Sequence, residues 1–244
     1  MKYFLDTEFL EGTQKKWFGE TKPTIDLISI GLVEEDGREY YAISKDFNIK
    51  EAWNRYDLVK DGFRDMGLTP NYKKVYWLRD NVLKSIWEEL TNRFALEEYK
   101  ANVISCTVGY NPPMKFTYKN FKNLIKKYGK TNNQIAKEVK HFVANRPIEA
   151  NKEQWILDYD TKDVSFYGYY ADYDWVVFCW LFGKMIDLPK GFPMFAFDIQ
   201  QQIEEYKINK EQLLKEVPQI NCHNSLHDAI WNKDAYNWIQ KKIK

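Results

Sequence analysis

The run "KYFLDTEFL" is rich in Tyr, Phe and Leu and predicts a strand over residues 2–9. Side chains on a strand alternate between faces, so Asp6 and Glu8 fall on one face with their Cβ atoms roughly 7 Å apart. Two further apolar runs lie in "TIDLISIGLVEEDGREYYAISKDF", and Asp36-Gly37 between them is a hairpin signal. Three antiparallel strands are therefore expected at the start. The hydrophobic period then changes. "NIKEAWNRYDLV" spaces Ala52, Trp53, Tyr56 and Val59 as a helix does. "YKKVYWLRDNVLKSIWEEL" places Val75, Leu78, Val82, Ile86 and Leu90 at intervals of three and four, an amphipathic helical pattern. Pro112-Pro113 interrupts regular structure, and residues 94–130 give no clear element. Thr131 with Gln134 has the form of a capping box opening a helix that runs to about Ala144. "DVSFYGYYADYDWVVFCWLFG" reads as a strand of alternating aromatics, a turn and a buried helix. Asp198 caps a short helix in "FDIQQQIEEYK", and "SLHDAIWNKDAYNWIQKKI" predicts a final helix with Leu226, Ile230, Ala235, Trp238 and Ile239 broadly on one face. A strand-rich start followed by helices predicts an α/β fold.

Composition narrows this picture. The 244 residues suffice for one large domain or a domain with a sizeable insertion, and 44% hydrophobic and 17% aromatic content excludes a disordered chain. With 36 basic against 35 acidic residues there is no global field for polyanions, so a nucleic-acid partner requires a local basic patch. Cys106, Cys179 and Cys222 are too few and too widely spaced for a disulfide framework or a zinc motif, which implies a reducing compartment. Acidic residues interrupt the N-terminal apolar run, and "WVVFCWLFG" is too short to span a bilayer. A cytoplasmic protein with no membrane partner is expected.

Further candidates for chemistry join the first acidic pair. Asp172 and Asp174 stand at the strand-to-helix junction of "YADYDWVVF"; His223 and Asp228 open the last helix in "HNSLHDA". Each has an ordinary alternative. Asp174 can serve as a helix cap, Asp228 can complement the helix dipole, and a loop histidine is often a packed residue. Asp158, Asp160 and Asp163 in "LDYDTKD" read as a solvated turn.

Taken together, an acid-x-acid strand, an Asp after an aromatic strand and a His-x-x-x-x-Asp at the last helix resemble the DEDDh group of 3′–5′ exonucleases. The likeness is closest to the small mycobacterial-type exoribonucleases of that group. It rests on "YFLDTEF", "IDLISIGLVEEDGREYYAIS", "YADYDWVVFCWLFG" and "HNSLHDA", in that order, over roughly the first 60 and last 85 residues. The resemblance implies an RNase H-like mixed sheet flanked by helices. It also implies a single exonuclease domain over residues 1–244, with a largely helical insertion at about 94–150. Carried over residue by residue, it makes Asp6, Glu8, Asp174 and Asp228 ligands of two divalent metal ions, Mg²⁺ or Mn²⁺, and His223 the general base. Asp172 competes with Asp174 but fits the motif less well. Where many relatives have Asn before the second-motif Asp, this chain has Tyr170 and Ala171, which bears on substrate contact.

The chemistry suits the residues. Hard cations prefer oxygen donors, two ions can clamp the attacking and leaving oxygens of a phosphodiester, and imidazole exchanges protons near neutral pH. Crowded carboxylates without a cation would instead repel one another. The expected substrate is the 3′ end of single-stranded RNA or DNA, with RNA favoured by the resemblance alone. Phe9 either meets the terminal nucleotide or lies in the core. "YKNFKNLIKKYGK" interleaves lysines with aromatics, as single-strand grooves do, although such helices are often only solvated faces. DNA trimming, dinucleotide cleavage and a catalytically silent binding module stand as alternatives.

Overall fold

The computed structural model describes residues 1–13, 18, 23–64, 69–105, 114–144 and 164–243. β1 (Lys2–Thr13), β2 (Pro23–Glu34) and β3 (Glu39–Ile43) form an antiparallel meander. The turn at Asp36-Gly37 closes it as expected: Gly37 takes φ 98°, a region open to glycine, and its N–H donates to the Glu34 carbonyl at 2.9 Å. The chain continues through α1 (Ile49–Asn54), β4 (Asp57–Arg64), β5 (Thr69–Val75), a π-turn over Arg79–Leu83, α2 (Lys84–Ser105) and α3 (Tyr118–Tyr128). It then forms α4 (Asn132–Val143), β6 (Ser165–Gly168), α5 (Ala171–Phe182), β7 (Phe197–Asp198), α6 (Ile199–Glu205), α7 (Lys210–Glu216) and α8 (Ser225–Lys242). Two compact units result, one from Met1–Phe47 with Gly129–Lys244 and the other Asn48–Tyr128. The Asp158, Asp160 and Asp163 group, Cys106 and Pro112-Pro113 lie outside the described residues. No described helix is long and apolar enough to cross a membrane.

In the first unit the strand order is β3-β2-β1-β6-β7, with β6 parallel to β1 and to β7. This mixed sheet flanked by helices is the expected α/β class and is consistent with an RNase H-like fold. The period-two alternation of β1 divides its side chains between two cores. Tyr3 and Leu5 join Phe166 and Phe178 with α4 and α5, while Phe4 joins Val33, Tyr167 and Ile203 with Ala229, Ala235 and Ile239 of α8. The capping box at α4 is present, Thr131 accepting from the Gln134 N–H and Gln134 from that of Thr131.

In the second unit the helical pattern expected over 48–59 stops early. α1 ends at Asn54, the chain turns extended at Arg55, and Val59 lies in β4; Val75 likewise ends β5. Gly62 and Pro70 disfavour helix, whereas Val59, Tyr72 and Val75 favour the extended chain, and β4 and β5 satisfy each other's backbone by pairing from Asp57↔Val75 onward. Beyond that ribbon the expected helix forms, and Val82, Ile86 and Leu90 are buried.

One close approach positions α8. Gly31 lies opposite Asp6 in the sheet, and a Cβ placed there would come within 2.1 Å of the Ser225 carbonyl oxygen and 2.6 Å of the Leu226 Cα. These are backbone atoms of the first turn of α8, so no side chain can swing away. Gly31→Ala is expected to destabilise the protein by roughly 3 kcal/mol, lowering Tm by about 6–12 °C. Calorimetry checks this; an unchanged Tm would refute the close fit.

Candidate active site

β6 pairs with β1 only as far as Phe4↔Tyr167, so beyond that point one edge of β1 has no strand partner among the described residues. Backbone groups there still require hydrogen bonds, and side chains supply them. The Leu5 carbonyl accepts from Asn232 Nδ2 at 2.9 Å, which ties α8 to one side of the strand. The Thr7 N–H donates to Asp174 Oδ1 at 2.9 Å, and the Thr7 hydroxyl donates to the same oxygen at 2.6 Å, which ties α5 to the other. Ser225 Oγ–Ser29 Oγ at 3.0 Å adds a buried link between α8 and β2. Asp198 holds the start of α5 as well as α6, accepting from the Ala171 N–H at 2.9 Å and the Gln201 N–H at 3.1 Å.

These ties bring the start of α8 against the Asp6–Glu8 face of β1. Donor atoms of Asp6, Glu8 and Asp228 all lie within 4.8 Å of one another; among the described residues this is the group able to hold a metal ion. Asp174 is outside that group but close enough for its charge to raise the Asp6 pKa. Burial, with Asp174, Glu8 and Asp228 nearby, pushes Asp6 well above the usual carboxylate range. Burial and the Asp228 and Asp174 charges push Glu8 up to about 8, and burial carries Asp174 to about 7 although the Thr7 hydrogen bonds oppose it. Asp228 is raised by burial too, against hydrogen bonds from Gln219 Nε2 at 2.6 Å and the His223 N–H at 2.8 Å. Asp6 Oδ2 is buried without a hydrogen-bond partner among the described residues. Oxygen donors crowded together, resisting ionisation and including the unbonded Asp6 Oδ2 suit a hard divalent cation, which would relieve these conditions.

His223 precedes α8 in a loop where both it and Asn221 have positive φ, 67° and 54°. Its Nδ1 lies 4.0 Å from Glu8 Oε1. Asn224 caps the helix, accepting from the Leu226 and His227 N–H groups at 3.1 and 3.3 Å. Asp172 is exposed, and the cluster does not include it. Phe9 is partly buried against the core, its ring stacked on Tyr173 with centroids 5.8 Å apart and planes 18° from parallel. Thr7, Gly31 and Gln219 escape a reading of motifs. Thr7 carries a signal of its own, since a hydroxyl residue between two same-face acids must point the other way.

The raised carboxyl pKa values set a stability prediction for the metal-free protein. Well below the ordinary carboxylate pKa of about 4 the folded and unfolded forms are protonated alike; as pH rises through it the unfolded form ionises first, so the folded form holds more protons and unfolding becomes easier. Stability in EDTA is expected to fall progressively between about pH 4 and 8, through the values for Asp174 and Glu8, and Mn²⁺ is expected to restore most at the alkaline end. Glu35, Glu97 and Glu216, lowered by hydrogen bonds from Lys2, from Tyr128 and Lys127, and from Trp238 and Gln212, act only at lower pH. Urea titrations with EDTA or Mn²⁺ across this range check it; stability rising with pH in EDTA would contradict the carboxylate cluster.

Fold and site together define an α/β protein with a carboxylate cluster suited to a divalent cation. The chain is 24% identical over 205 residues to each of two curated proteins named 3′-5′ exoribonuclease, from the CDC 1551 / Oshkosh and ATCC 25618 / H37Rv strains of Mycobacterium tuberculosis. The aligned span covers 84% of this chain and 75% of each relative. No protein-family model matches the chain.

Proposed function

We propose that this chain is a metal-dependent 3′–5′ exonuclease acting on single-stranded nucleic acid, with RNA favoured. The observation that carries the reading is the gathering of Asp6, Glu8 and Asp228 donor atoms within 4.8 Å, with an unpartnered Asp6 oxygen among them. The similarity to two proteins named 3′-5′ exoribonuclease supports the reaction and the RNA preference.

In this reading Asp6, Glu8, Asp174 and Asp228 hold two divalent ions, Mg²⁺ or Mn²⁺. Bound there, such ions supply Lewis-acid stabilisation of the attacking and leaving oxygens of the phosphodiester. The protein's residues do the rest. Thr7 fixes the Asp174 carboxyl through two hydrogen bonds to one oxygen, and Gln219 with the His223 N–H fixes that of Asp228. The His223 imidazole accepts a proton from the attacking water, and the neighbouring Glu8 carboxylate orients and stabilises the resulting imidazolium. Phe9, backed by Tyr173, offers a ring face to the terminal base.

The test is incubation of the protein with 5′-labelled single-stranded RNA, matched DNA and a dinucleotide, in Mg²⁺, Mn²⁺ or EDTA, beside an Asp174→Ala control. A metal-dependent ladder shortening from the 3′ end and absent from the control is expected, and the arms report the preferred sugar and length. A folded protein that cleaves none of the three would overturn the proposal.

A further inference from the structure

The charge of the chain is divided between its two units. Residues 48–128 hold 15 Lys and Arg against 9 Asp and Glu, whereas the rest of the chain holds 21 against 26. A near-neutral total therefore conceals a unit with an excess of six positive charges.

Within that unit the β4–β5 ribbon sorts its side chains by face. Register places Leu58 opposite Lys74 and Lys60 opposite Tyr72, and residues two apart on a strand share a face, so these four stand on one side. Asp57, opposite Val75, and Asp61, which pairs with Lys73 at 3.3 Å, stand on the other. The basic side is open: Leu58 is 61% and Tyr72 55% exposed. Aromatic rings continue it at one end, where Lys74 Nζ lies 4.0 Å over the Tyr56 ring and the Arg79 guanidinium 4.0 Å over the Tyr76 ring. The Tyr56 and Tyr76 rings are 5.7 Å apart.

Cations beside exposed rings, with Asp57 and Asp61 on the opposite side and Asp80 paired to Arg79 at 2.8 Å at the end of the face, match an extended polyanion that carries flat groups. From this we infer that the Lys60–Tyr72–Lys74 face of the ribbon binds single-stranded nucleic acid, the lysines meeting phosphates and the exposed Tyr72 ring stacking on bases. Single-stranded character follows from the rings, because paired bases present no free face. The choice of RNA as probe rests on the nuclease reading.

The full chain is titrated into fluorescein-labelled single-stranded RNA of about 20 nucleotides, longer than typical single-strand sites, with anisotropy read in EDTA at several salt concentrations. Lys60→Gln with Lys74→Gln is expected to weaken binding about tenfold and to flatten the log–log salt dependence by about 1.4, two single-strand phosphate contacts. Tyr72→Ala is expected to weaken it about tenfold through lost stacking. Lys73→Gln, on the opposite face, should stay within twofold of the unaltered protein. All four side chains are exposed, and circular dichroism checks that each variant is folded. Binding by the double variant within twofold of the unaltered protein, an equal loss from Lys73→Gln, or no RNA binding by the unaltered chain would each overturn the inference. EDTA silences metal-dependent cleavage during these measurements, so a failed nuclease assay leaves the binding comparison standing.

Discussion

Replacing Asp6 by Asn is expected to lower nuclease turnover by at least about 10³-fold, the several kcal/mol that metal-ion stabilisation of a phosphodiester transition state supplies. The same change should weaken Mn²⁺ binding in calorimetry. Its third effect has the opposite sign. Asp6 is held among three other carboxyl groups, and one of its oxygens is buried without a hydrogen bond. Asn keeps the shape and removes the charge, so the metal-free variant should be more stable than the unaltered protein at pH 8, where the cluster is most ionised. A residue that merely packed β1 against α8 would lose stability on replacement. Full turnover with undiminished Mn²⁺ binding would exclude Asp6 from the site.

On the proposed reading, His223→Asn is expected to lower turnover by about 10²–10⁴-fold with Mn²⁺ affinity unchanged, because the proposed general base would be removed and no cluster oxygen lost. Asn is chosen for the backbone. His223 has φ 67°, a conformation Asn adopts more readily than most residues, and the main-chain N–H that donates to Asp228 is kept. A fall in rate thus reports the imidazole, whose Nδ1 faces Glu8 at 4.0 Å, and not a collapsed loop. Turnover within a few-fold of the unaltered protein would remove His223 from the mechanism, whatever the result at Asp6.

What could be read from the chain depended on how local each determinant is. The Asp36-Gly37 turn, the Thr131–Gln134 capping box and the Asp198 cap are each written within four residues, and all form as expected. The β4–β5 ribbon does not show in the hydrophobic pattern because both its faces are largely exposed. Leu58 and Val59 stand next to each other at 61% and 44% exposure, so no apolar–polar alternation marks the strand, and accidental three-and-four spacing suggested helix. At the candidate site, period two alone puts Asp6 and Glu8 on one face. The parts played by Gly31, Thr7 and Gln219 depend on which helix meets β1 and where β6 stops pairing, facts of tertiary packing that no short motif records.

The bond from Asn232 to the Leu5 carbonyl joins residues 227 apart, and Asp228 reaches Asp6 and Glu8 on the helix that carries it. During synthesis the first two carboxylates leave the ribosome long before the third. Domains generally fold as units, and contacts this distant in sequence close late. The acidic cluster is therefore incomplete until α8 has emerged and docked.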